Sequence, residues 1–131
     1  MLLLNFSHPI TEKQKSQLEA LLGKQIERII DIKVHFNQDQ PFMPQLQETM
    51  KDIPLTSTEW QTTPLLVNLP SYNYIAAMII AELNGRMGHF PAILRLKPVS
   101  DSLPPEFEVA EVINLQAIRN QAREIREQGD N

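Results

Sequence analysis

The sequence predicts a single α/β domain over residues 1–131, of Rossmann-like architecture, with a largely parallel sheet and helices on both faces. Three observations predict it. Compact apolar runs at 2–6 and 65–67 have the form of strands covered on both faces. Segments of helical period alternate with the strand-like ones along most of the chain, without an internal repeat. A length of 131 residues, 42% hydrophobic and 21% charged, suits one core that buries about two-thirds of the unfolded chain's surface.

The elements follow in order. Residues 2–6 form the first strand, and the run breaks at Asn5 and Ser7. Thr11, followed three residues later by Gln14, makes a capping-box signal for a helix that carries Leu18, Leu21 and Leu22 on one face and stops at Gly23. Residues 26–36 alternate, with Ile30, Ile32, Val34 and Phe36 opposite Asp31, Lys33 and His35, which predicts a half-buried edge strand. Phe42, Leu46, Met50 and Ile53 recur at helical spacing before Pro54, and Trp60 falls in a polar connector.

The run 65–67 opens into Asn68, Leu69, Pro70 and Ser71 before a helix predicted over 72–84. That helix is apolar nearly all round, so burial against the sheet or a second subunit is expected. A turn-rich segment, 85–91, leads to a strand at 92–97. The loop 98–105 is too short for a crossover helix, so the strand at 107–115 is expected to lie antiparallel to its predecessor. The last helix, 116–128, is apolar at Leu115, Ile118, Ala122 and Ile125; Arg119, Arg123, Glu124, Arg126 and Glu127 form a solvated face of mixed sign.

Right-handed crossovers place the second strand on one side of the first and the third on the other. A topological switch point then lies between the first and third strands, where open α/β sheets bind ligands. Two polar loops fall there: Asn5, Phe6, Ser7 and His8 after the first strand, and Asn68, Leu69, Pro70 and Ser71 after the third. The first offers backbone N–H groups beside a helix start, either as a cradle for phosphate or ribose or as a simple βα turn with its cap. In the second, Ser71 or Asn73 caps the following helix and leaves the other free for a ligand. Tyr72 and Tyr74 suit either base stacking or packing. Arg95 and Lys97 share a face near the far end of their strand, as phosphate contacts or as an exposed strand face.

Composition excludes several classes. A formal net charge of −4 argues against sequence-independent binding to duplex DNA. The absence of cysteine removes disulfides and thiolate chemistry and fits a reducing compartment. The opening Met1 to Leu4 lacks the basic flank of a signal peptide, and no apolar stretch approaches the roughly 20 residues that span a bilayer, so a cytoplasmic protein without a membrane partner is expected. Neither the glycine-rich dinucleotide fingerprint nor the P-loop is present, and the three histidines, His8, His35 and His89, show no metal-site spacing. No cofactor and no metal are therefore expected. His8 alone lies at the crevice, as a general acid or base or as a plain hydrogen-bonding group. Arg86 and His89 fall at the opposite end of the sheet.

The stretches 2–9 and 64–71, the segment Gly85, Arg86, Met87, Gly88, His89, Phe90, Pro91 through Arg95, and 107–111 together resemble the CRISPR-associated Csx family numbered fifteen, over almost the whole chain. The resemblance implies a type III CRISPR accessory protein with a CARF-like domain that binds cyclic tetra-adenylate across a homodimer, with higher assembly on ligand binding as a further expectation. On that reading Asn5, Phe6, Ser7, His8, Asn68, Leu69, Pro70, Ser71, Asn73 and Arg95 meet the ligand. Two activities are compatible with it. One is sequestration of the messenger, which damps the effectors it activates. The other is a ring nuclease, in which a ribose 2′-hydroxyl attacks the adjacent phosphodiester in line without a metal, with His8 as the one available base.

Overall fold

The leucines at the start of the chain set the layering. In the computed structural model, which describes residues 1–129, Leu2, Leu3 and Leu4 are all buried in strand β1 (Leu2–Asn5). Alternation sends Leu2 and Leu4 into one core and Leu3 into another. Strand β3 (Leu65–Asn68) lies parallel to β1 and does the same, with Leu65 and Val67 on the first side and Leu66 on the second. Strand β2 (Arg28–Asp31) pairs with β1 on its other side, also in parallel. Strand β4 (Ala92–Pro98) runs parallel to β3, and β5 (Phe107–Asn114) closes the sheet antiparallel to β4. The order is β2-β1-β3-β4-β5, so the expected switch point between β1 and β3 is present.

Helix α1 (Glu12–Leu22) covers the Leu3 side through Leu18, with Ile26, Leu66 and Leu94 in the same cluster. Its Thr11–Gln14 capping box forms, and Gly23 ends it in the left-handed conformation. Helices α2 (Phe42–Lys51), α3 (Ser57–Thr62) and α4 (Asn73–Met87) cover the Leu2 and Leu4 side through Leu46, Met50, Trp60, Ile75, Ile79 and Leu83. Helices therefore lie on both faces. Among the described residues no helix is long and apolar enough to cross a membrane.

Four local expectations change. Residues 26–36 keep their alternating burial, yet β2 ends at Asp31. A strand needs a neighbour: the Ile32 N–H donates to the Asn5 carbonyl at 2.8 Å, and beyond that rung β1 has turned into its loop. The connector holding Trp60 is the short helix α3, opened by a second capping box in which Thr56 and Glu59 satisfy each other's backbone N–H groups. The Thr56 backbone amide, with its hydroxyl, holds the Glu59 carboxyl below the usual carboxylate range.

Helix α4 runs on through Gly85 and Arg86 to Met87, so the turn begins only at Gly88. Arg86 is held inside the last turn by Glu82 at 2.9 Å and lies over the Trp60 ring at 5.5 Å. One face of α4 is buried; the face bearing Tyr74, Ala77 and Ala81 is exposed. Helix α5 (Leu115–Gln128) has no buried residue.

Gly85 and Gly88, three residues apart, should respond to alanine with opposite signs. Gly88 sits at φ +82°, so Gly88→Ala is expected to cost about 1 kcal/mol. Gly85 is helical and faces open space where a methyl group would stand, so Gly85→Ala is expected to add about 0.5–1 kcal/mol. Paired urea unfolding curves measure both.

Candidate functional site: a divided crevice at the strand ends

At the carboxyl ends of β1, β2 and β3, one side chain joins three strands. Asn5 is 1% exposed. Its Nδ2 donates to Asp31 Oδ1 and to the His8 carbonyl, each at 2.9 Å. Its Oδ1 accepts from the Ser7 N–H at 3.1 Å and from Asn68 Nδ2 at 3.0 Å. A side-chain amide offers two donor hydrogens and two acceptor lone pairs, and all four are engaged. The Ser7 bond is an Asx turn, which reverses the chain directly after the strand. The Phe6 N–H donates to the Asn68 carbonyl at 2.9 Å, extending the β1–β3 ladder by one rung.

The loops held in this way border two chambers. On the α1 side, Ser7, His8, Pro9, Gln14, Asn68, Leu69, Ser71, Leu94, Arg95, Leu96 and Phe107 enclose about 400 Å³. On the α4 side, Phe6, Ser7, His8, Pro70, Ser71 and Tyr72 border a second space of about 330 Å³, together with Ile32, Lys33, Val34 and Ile75. Ser7, His8 and Ser71 are common to both.

Most of the sequence-derived residues thus converge. Ser7, His8, Asn68, Leu69, Ser71 and Arg95 meet in the larger chamber. Phe6 and Pro70 border the smaller one, with Phe6 only 2% exposed and mainly a core residue. Asn5 borders neither chamber, and its role is to shape the loop. Asn73 is exposed in the first turn of α4 and borders neither chamber.

Neither Ser71 nor Asn73 caps α4. Tyr72 occupies the N-cap position and makes no side-chain cap bond. Its ring is fixed elsewhere, edge-on to Phe42 at 5.9 Å and to Tyr74 at 5.5 Å, with its hydroxyl 3.3 Å from Gln38 Oε1. The opening amides of α4 therefore lack a side-chain partner beside Ser71, a setting that favours an acceptor or anion.

Arg95 enters the larger chamber already paired. Its Nη2 and Nε lie 2.6 and 2.9 Å from Glu111 Oε2, and both side chains are about half exposed. Exposed pairs of this kind exchange partners at little cost. A register shift follows Arg95, where Glu111 opposes Arg95 and Val109 opposes Leu96, so that Ala110 is the extra residue of a bulge.

Gln14, Leu94, Leu96 and Phe107 also belong to the chamber, and sequence reasoning does not single them out. Gln14 has one visible signal, its place in the capping box. Its Oε1 accepts the Thr11 N–H, while its Nε2 donates to the Phe107 carbonyl at 3.0 Å and tethers β5 to α1. The apolar wall formed by the other three depends on how β4 and β5 pack and has no local signature.

No family model, curated protein or solved structure matches this chain. The site therefore rests on its geometry. Among the described residues, no three His, Cys, Asp or Glu side chains gather where they could hold a metal ion.

Removing the joining amide should hurt more than removing its partner. Asn5→Ala strands the groups at Ser7, Asp31, His8 and Asn68, and is expected to cost about 3 kcal/mol. Asn68→Ala loses one bond to Asn5 and is expected to cost about 1 kcal/mol. Urea unfolding with an unchanged slope measures the difference.

Proposed function

We propose that this protein binds cyclic tetra-adenylate across a homodimer and sequesters it, as a cytoplasmic accessory of type III CRISPR antiviral signalling. The observation that carries the reading is the convergence of Ser7, His8, Asn68, Leu69, Ser71 and Arg95 on one chamber of about 400 Å³ at the switch point. The family resemblance supplies the identity of the ligand. The chemistry of the chamber is compatible with an adenosine phosphate. Leu69, Leu94, Leu96 and Phe107 offer an apolar wall to a base, while Ser7, His8, Ser71 and Arg95 offer donors to phosphate. A ring with rotational symmetry suits a two-fold axis, where each subunit presents the same loops.

A chain of net charge −4 repels a tetra-anion at long range, so the donors must act at close quarters. Arg95 is central to this. A phosphate can replace Glu111 as the partner of its guanidinium, exchanging one charge-assisted pair for another.

Cleavage is the second reading, and His8 is its observation. The residue borders both chambers and is the only histidine there. In-line attack by a 2′-hydroxyl needs a positioned nucleophile and stabilisation of charge on the phosphorane, and a base assists. Lys33 and Tyr72 border the smaller chamber with it, but no hydrogen bond couples either to His8, and a base with no coupled acid favours retention over turnover.

Excess protein incubated with labelled cyclic tetra-adenylate should retain the label on a filter and yield no linear product. Linear product would move the function to ring nuclease, and His8→Ala should then slow single-turnover cleavage. Absence of both retention and product overturns the ligand. Arg95→Ala is expected to weaken retention about 10- to 100-fold, the loss of one charged hydrogen-bonding group.

A further inference from the structure

The polar side chains at the strand ends form a row with a direction. Asp31, Asn5 and Asn68 hold matching register positions on β2, β1 and β3, so they stand side by side in that order. Asn5 Nδ2 donates to Asp31 Oδ1 at 2.9 Å, and Asn68 Nδ2 donates to Asn5 Oδ1 at 3.0 Å. Chemistry forces this direction. A carboxylate and the His8 carbonyl only accept, and the Ser7 N–H only donates, so the Asn5 amide has one possible orientation. Its oxygen then faces Asn68, which must answer with its nitrogen.

The row ends on an open acceptor. With Nδ2 turned toward β1, the other branch of the Asn68 amide, Oδ1, is turned to the side where β4 lies, and among the described residues nothing donates to it. Asn68 is 6% exposed and borders the larger chamber. The β3–β4 register, Leu66 with Ala92 and Val67 with Ile93, brings Leu94 next in line, and a leucine side chain has nothing to donate. Hydrogen bonds that share one direction polarise one another, which strengthens the free oxygen as an acceptor. A carbonyl left unpaired in so buried a place is costly.

That oxygen narrows what the chamber takes. It calls for an N–H or O–H donor and repels a phosphodiester, whose oxygens only accept. Phosphate therefore belongs with Ser7, His8, Ser71 and Arg95. Leu94 beside Asn68, with Leu96 and Phe107 in the same wall, suits the flat apolar face of a heterocycle better than a hydroxyl-bearing sugar. The 6-amino group of adenine meets both demands, a donor on the edge of a flat ring, and an asparagine amide matches that edge.

We propose that Asn68 is the residue that selects the base: its Oδ1 accepts the 6-amino group of an adenine seated in the larger chamber, and its bond to Asn5 holds that oxygen in place. The inference rests on the function proposed above and adds the atom that tells adenine from a base without the amino group.

Deleting that amino group from the ligand is the test. Filter retention is measured for cyclic tetra-adenylate and for the same ring built with purine, which differs only in lacking the 6-amino group. The parent should hold the purine ring about 10-fold or more less tightly, because a buried acceptor is left without its donor. Asn68→Val removes the acceptor, and Asn68→Ser removes it while keeping a hydroxyl that can donate to Asn5. Either variant should hold the two rings within about twofold of each other. Equal retention of both rings by the parent would overturn the inference and leave the proposed function standing. A preference for adenine that survives in either variant overturns it as well, since the amino group then has another partner. Retention of neither ring by the parent overturns the proposed function, and this inference with it.

Discussion

The Asn5 amide binds the ends of three parallel strands into one edge. A parallel sheet delivers all its strand ends to the same side, and there the ladder that organises the backbone stops. Loops leaving that edge need other partners for their backbone groups. Asn5 supplies them with two donors and two acceptors directed at β2, β3 and its own loop. Its complete engagement has a functional corollary. The residue nearest the switch point has no hydrogen-bonding capacity left for a ligand, so the proposed function assigns recognition to Ser7, His8, Ser71 and Arg95 on the chamber walls.

Those walls come from elements far apart in sequence. Thr11 and Gln14 close the start of α1, and the same Gln14 amide reaches Phe107 at the start of β5. Gln17 does likewise with its Oε1, accepting the Val109 N–H at 3.0 Å beside the bulge. Two glutamines on one helix thus fix where β5 begins and how far the apolar wall of Leu94, Leu96 and Phe107 stands from the β1 loop. Ser7 and His8, on the loop that enters α1, share one chamber with that apolar wall because α1 is tied to β5.

Much of this is legible in the chain. The leucine runs, the Thr11–Gln14 box and Gly23 each specify structure within a few residues, and the short loop before Phe107 forces the antiparallel strand. The convergence of the two loops follows from crossover handedness alone. Other features are illegible for physical reasons. Alternation over 26–36 reports which side is buried and says nothing of whether a neighbour is present to pair with, so periodicity overextends the strand. Gly85 resembles a stop, but helix ends depend on the backbone conformation that only Gly88 adopts here. Asn5 reads as a ligand contact because loop amides look alike until their partners are known. The Thr56–Glu59 box stands in the sequence, yet the polar run around Trp60 masks the short helix that it opens.

The most direct test is a titration of the protein with cyclic tetra-adenylate, followed through the amide chemical shifts of every residue. Binding at the divided crevice predicts shifts centred on Ser7, His8, Leu69, Ser71 and Arg95, with the Trp60 indole signal at the other end of α4 unmoved. Shifts centred on the cavity between Trp60 and Arg86, or a saturating ligand that leaves the crevice amides in place, would contradict it.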